Sequence, residues 1–321
     1  MYHVRDGEGP LVSPSELRAR FPGVDAETWS AADRDFPVRI TRSWADRMTA
    51  HDDPLGLQVI PRPMELQEQV GDVPDPVGES LKQPLPWVVH KHPDRVLLKV
   101  TRRCHLYCRY CFRRDQHDTT EPSAEELERA MAYARSSNAR EIILSGGDPL
   151  TLSNRKLLAL VQEARKSASR VRIHSRAPIT HPARVDAALV EGLRSHAPIW
   201  MVVHCNHPRE LSTEVSDALH RLVDAGVPVL NQSVLLRGVN DDADILVELS
   251  EALMQLRVHP YYLHHTDPVP GNSEFRVSIN RGLDIHAEMA TRLGGIGLPR
   301  YVIDPPDGSG KIDVIQWAAR M

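Results

Sequence analysis

No stretch of this 321-residue chain reaches the eighteen or so apolar residues that a membrane-spanning helix needs. The start, "MYHVRDGEGPLV", has no basic segment leading into an apolar run, so no secretory leader is expected. An excess of positive charge is also missing. Against 39 Lys and Arg stand 43 Asp and Glu, a formal net charge of −4 spread along the chain, with no basic face for nucleic acid or a membrane surface. Cysteine is scarce: four in all, three of them within eight positions, too close together to brace distant segments as a disulfide framework does. These absences lead to the expectation of a cytoplasmic globular protein, open to small polar substrates, whose clustered thiols point to metal.

Residues 1–90 are rich in Pro, Asp and Trp. Capped helix-like pieces such as "SPSELRARF" and "ITRSWADRM" alternate there with proline-punctuated loops, which predicts an irregular, mainly helical N-terminal region wrapped on a larger body. From residue 95 short apolar runs take over, at 95–100, 141–145, 170–175, 199–204, 227–236 and 258–264. Amphipathic segments from "SAEELERAMAYARSS" to "DADILVELSEALMQL" separate them, so the pattern is repeated β-α with parallel strands. The expected fold class is α/β: a six-unit open sheet or incompletely closed barrel over 91–295, followed by a C-terminal segment, 296–321.

Ligands of such folds collect beyond the C-terminal ends of the strands. "CHLYCRYCFRR" (104–114) follows the first strand, "SGGDPL" the second, "HSR" the third and "HCNHP" the fourth. "NQS" lies within the fifth strand, and "HHTD" follows the sixth. All of these motifs should meet at one mouth. Three thiolates from one loop can hold three irons of a cubane cluster and leave the fourth iron open. The alternative is a three-cysteine zinc site completed by His105 or His117, although such sites favour paired C-x2-C knuckles from two places.

The C-x3-C-x2-C spacing after a first strand, with a glycine pair after the second, resembles the radical S-adenosylmethionine (SAM) superfamily. The resemblance narrows to the lysine 2,3-aminomutases, which also use pyridoxal phosphate (PLP). "PDRVLLKVTRRCHLYCRYCFRR", "LSGGDPL", "NQSVLLRGVND", "HHTDPVPG" and "VIDPPDGSGK" occur in that family's order, and the likeness runs from about residue 38 to 314.

That resemblance implies a partial (β/α)6 radical SAM barrel. Cys104, Cys108 and Cys111 would hold a [4Fe-4S] cluster whose open iron takes the amino and carboxylate groups of SAM. Gly146 and Gly147 would allow backbone approach to SAM, with Asp148 at a position where many members carry Glu, and Gln232 would line the same pocket. Lys311 matches the PLP lysine and Arg95 the arginine for its phosphate, a contact suited to a guanidinium. Arg113 matches the residue for the substrate α-carboxylate, while Asp267 and Asp304 match two aspartates for a distal ammonium. Two carboxylates around one cation compensate its desolvation better than a single one.

The implied activity is an isomerase interconverting L-lysine and L-β-lysine by 1,2-amino migration, with an amino acid substrate and an electron donor such as flavodoxin or ferredoxin. Long members of the family continue into a segment for subunit association and zinc, whereas this chain ends ten residues after Lys311. Neither that zinc nor a subunit count is therefore implied, and a homodimer stays open. The alternatives are an aminomutase for arginine or another basic amino acid, a radical SAM enzyme without PLP, and a non-catalytic zinc scaffold. A glutamate-type enzyme would lack the paired aspartates.

Overall fold

In the computed structural model, which describes residues 11–23, 26–116 and 120–320, nine strands follow one another across a single sheet in chain order. They are β1 (Val88–His92), β2 (Arg95–Thr101), β3 (Glu141–Gly146), β4 (Arg170–His174), β5 (Ile199–Val203), β6 (Val229–Val234), β7 (His259–His264), β8 (Arg300–Ile303) and β9 (Ile312–Asp313). Strands β2 to β8 pair in parallel, and β1 and β9 add antiparallel edges. The six expected strands are β2 to β7, so the parallel run has seven strands rather than six. The four residues of β8 form too short an apolar run to register in the sequence, and β1 reads "VVHKH", half polar.

Side-chain alternation sets the two faces of the sheet. On β4, Val171 and Ile173 are fully buried beneath the helices, while Arg170, Arg172 and His174 line an interior cavity. The long helices of the repeat begin on side-chain caps: Ser123, Ser153, Asp186, Ser212, Asp242 and Ser278 each accept a backbone N–H from the first turn. Such caps are worth about 1 kcal/mol apiece.

The N-terminal region contains the helices Pro14–Arg20 and Ala26–Asp35 and a single turn, Arg42–Ala45. Its Leu17, Trp29, Ile40 and Trp44 share one hydrophobic core with Val96 and Leu98 of β2. Strand β1 runs straight through residue 90, where the sequence suggested a boundary.

The two edges of the sheet approach each other without a backbone ladder among the described residues. Lys91 on β1 pairs with Asp304, one residue beyond β8, at 3.1 Å. Gly310 packs so closely on the His92 ring that a Cβ there would overlap the imidazole, and its φ of +89° suits only glycine.

Candidate active site

A cavity of about 870 Å³ runs from the cysteine loop down the interior of the sheet. Every residue expected to act in the site lines it: the three cysteines, Arg95, Arg113, Gly146, Gly147, Asp148, Gln232, Asp267, Asp304 and Lys311.

The cysteine loop leaves β2 and is fixed by the N-terminal region. Tyr107 N–H donates to Arg39 O and Arg109 N–H to Gln58 O. The Arg109 side chain is 1% exposed and forms a bidentate pair with Glu65. A buried Arg–carboxylate pair of this kind tolerates loss of neither partner. Burial pushes the Cys104 thiol well above its ordinary pKa, with Asp148, Cys111 and Cys108 adding to the effect, and it raises Cys111 to about 11, with Cys108 adding. The three thiols are thus close neighbours on one wall. Among the described residues no three His, Cys, Asp or Glu side chains form a group able to hold a metal ion. His105, one candidate fourth zinc ligand, has its Nε2 on Leu150 O at 3.2 Å, and His117 lies outside the described residues. A cubane places its ligand sulfurs at separate corners and does not need such convergence.

The glycine pair lines the cavity and also packs closely on the cysteine loop. Gly147 N–H donates to Thr101 O and Asp148 N–H to Arg103 O, both at 2.7 Å. A Cβ on Gly146 would strike Thr101 O, and one on Gly147 the carbonyls of Arg102 and Arg103. The pair therefore lets β3 press against the root of the cysteine loop. Asp148 is held from all sides: its Oδ1 accepts from Leu150 N–H and the Ser175 hydroxyl, and its Oδ2 from Arg176 N–H and Ala177 N–H, at 2.7–2.9 Å. These four bonds tie the loops after β3 and β4 together at the wall of the cavity.

Arg113 is not a bare guanidinium. Its Nε and Nη2 form a bidentate pair with buried Glu79, and Nη1 donates to Gly146 O at 2.9 Å. Glu79 holds the group side-on and leaves N–H bonds at its end free for an incoming carboxylate. Gln232 donates to His204 Nε2 at 2.9 Å, and burial lowers that imidazole to about 3, which keeps it neutral.

At the other end of the cavity, Arg95 sits at the start of β2 with its Nη1 on Asp94 at 2.9 Å. Burial depresses the pKa of His92, and the Arg95 and Lys311 cations lower it further against the opposing Asp94 and Asp304 carboxylates. Arg170, Arg172 and Arg300 line the same region. An amine beside several guanidiniums suits an aldehyde-bearing phosphate.

Lys311 follows Gly308 and Gly310, both at positive φ, and its Nζ lies 3.2 Å from Asp304. Burial opposes the charge on Asp304, yet the Lys311 and Lys91 ammoniums outweigh it and hold the carboxyl below its ordinary pKa. Asp267 lacks such a partner. Burial, reinforced by Asp304, raises it to about 7.

Sequence reasoning passed over Glu79, Lys91 and Arg176. Only Arg176 carried a signal, as the last residue of "HSR".

The model of the radical SAM superfamily matches residues 98–249. The L-lysine 2,3-aminomutase of Clostridium subterminale is 39% identical over 82% of this chain and 64% of its own length. That of Buchnera aphidicola is 35% identical over 86% of this chain and 84% of its own. The glutamate 2,3-aminomutase of Clostridioides difficile is 32% identical over 82% of this chain and 63% of its own. The chain thus spans under two thirds of the first and third of these relatives. Among solved structures, SuiB of Streptococcus suis bound to S-adenosylmethionine aligns with a TM-score of 0.51 and 14% identity, over 66% of this chain and 51% of that one, a likeness of fold alone.

Proposed function

Since this chain belongs to the lysine 2,3-aminomutase family of radical SAM enzymes, we propose that it interconverts L-lysine and L-β-lysine. The observation that carries the substrate is Asp267: a part-buried carboxyl beside a second carboxylate, without a side-chain hydrogen bond or ion pair among the described residues, lining the same cavity as Lys311. Such a group gains most from an incoming cation.

Cys104, Cys108 and Cys111 would hold the cluster, Lys311 the PLP carbon and Arg95 its phosphate. The family's cofactors, when bound, supply hydrogen-atom abstraction from an unactivated carbon and a carbonyl partner for the migrating nitrogen. The chain's own work is positioning. Arg113, oriented by Glu79, takes the α-carboxylate, and Asp267 with Asp304 takes the distal ammonium, so that Cβ is presented at a fixed distance from each end. Glutamate has no distal cation for the two aspartates. A flavodoxin or ferredoxin in the cytoplasm is the proposed reductant; among the described residues no helix is long and apolar enough to cross a membrane.

Anaerobic protein reconstituted with iron, sulfide, PLP and SAM should convert lysine to β-lysine. Lysine recovered unchanged while arginine rearranges would move the substrate to arginine and leave the reaction type standing. Asp304→Asn should raise the KM for lysine and lower kcat/KM about a hundredfold, on the order of 3 kcal/mol for an uncompensated, partly desolvated charge, while SAM and PLP binding are spared. Normal lysine kinetics in that variant would reduce Asp304 to a turn residue.

Asp267 also gives a pH dependence. In substrate-free protein it holds its proton up to pH of about 7. Ammonium binding favours the carboxylate, so binding releases that proton and strengthens as pH rises. The KM for lysine should fall about tenfold per pH unit up to pH 7 and then level off. Asp267→Asn should flatten the profile. A wild-type KM independent of pH from 6 to 8 would show that Asp267 does not face the ammonium.

A further inference from the structure

Arg176 stands at the end of β4, and its side chain is 10% exposed. One nitrogen, Nη1, lies 2.8 Å from Cys108 Sγ. The rest of the guanidinium is immobilised from every side. Nη2 donates to Gln58 Oε1 at 2.6 Å and to Glu210 Oε2 at 3.1 Å, and Nε donates to His204 O at 3.2 Å. The Trp44 and Tyr110 rings lie 4.8 and 5.6 Å away. The partners are themselves tied down: Gln58 Nε2 donates to Glu210 Oε1, and Asn206 Nδ2 donates to Gln58 Oε1 and Tyr110 Oη. Glu210 and Gln58 are completely buried. A charge held this rigidly, with little water around it, acts strongly on whatever its free end touches, and that end touches a sulfur read as a cluster ligand.

Resting on that reading of Cys108, we propose that Arg176 is a positioning residue for the cluster, which donates to the Cys108 sulfur and raises the reduction potential of the loaded centre. Positive charge and N–H···S bonds both favour the state with one more electron. The step is a one-electron transfer from an external reductant to the cluster, with no proton moved. Glu210 sets the size of the effect, since it partly neutralises Arg176 from the side away from the sulfur.

The test uses full-length protein reconstituted with iron and sulfide, without SAM or PLP. Cluster reduction is followed by electron paramagnetic resonance during dithionite titration. Arg176→Met should bind iron and show a reduced-to-oxidised ratio about tenfold lower at a fixed potential, which for one electron is a fall of about 59 mV. Glu210→Gln keeps the size of the side chain and removes the counter-charge, so it should move the ratio the opposite way. This second variant decides the matter alone if Arg176→Met does not fold. A loaded Glu210→Gln or Arg176→Met protein with the wild-type potential would overturn the role of Arg176. Full iron in Cys108→Ala would instead overturn the ligand reading, and the proposal with it.

Discussion

With alanine at position 108, anaerobically reconstituted protein should retain under about a tenth of the wild-type iron and yield no detectable 5′-deoxyadenosine from SAM. Three thiolates supply three corners, and among the described residues the surroundings offer no substitute. Cys205, the fourth cysteine, is fully buried and turned toward His207 O at 3.5 Å. His105 is committed to Leu150 O and packs against His181 with ring centroids 4.9 Å apart. Loss of the cluster should leave the fold intact, because the loop is anchored through Tyr107 and Arg109 besides the Arg176 contact to Cys108. A Cys108→Ala protein with a full complement of iron and normal 5′-deoxyadenosine yield would remove Cys108 from the ligand set.

Lys311→Ala should abolish covalent retention of PLP. After borohydride treatment the wild type should carry a pyridoxyl group on Lys311, whereas the variant should carry none, with product formation down by at least about a thousandfold. Two other amines line the cavity, and both are engaged. Lys91 is held by Val77 O and Asp304, and Lys99 lies 3.1 Å from Gln83 and 3.4 Å from Gln116. Lys311 has Asp304 and the Tyr262 ring as neighbours and is 36% exposed on a segment that follows two positive-φ glycines, so among the described cavity amines it is the one free to swing to a carbonyl carbon. SAM cleavage should survive in the variant, since different residues are proposed to hold the two cofactors. A pyridoxyl group found on Lys91 or Lys99 in the wild type would relocate the anchor.

The parallel core was legible because its strands are short, largely apolar runs and its helices start on Ser or Asp caps, two signals that reside within a dozen residues. Strand β8 was not legible, since four residues acquire strand geometry only by pairing with β7. The same division holds in the site. Cys104, Cys108 and Cys111 announce themselves through mutual spacing. Glu79 and Arg113 are 34 positions apart, and Gln58 and Arg176 are 118 apart, so nothing local marks either pair. Asp148 adds a further case: besides Leu150, its hydrogen-bond partners Ser175, Arg176 and Ala177 arrive from the next β-α unit, where no local motif marks them.

A closed barrel changes girth only by breaking a row of backbone hydrogen bonds. Here the meeting of β1 with the segment after β8 depends instead on Lys91, Asp304 and the fit of Gly310 on His92. Opening that join would break an ion pair whose side chains are only 11% and 13% exposed, leaving each charge without its counter-ion, while the eight strand pairings stay intact. The join also carries Asp304, one of the two carboxylates proposed for the substrate ammonium, so a cation bound there would share that carboxylate with Lys91 and Lys311.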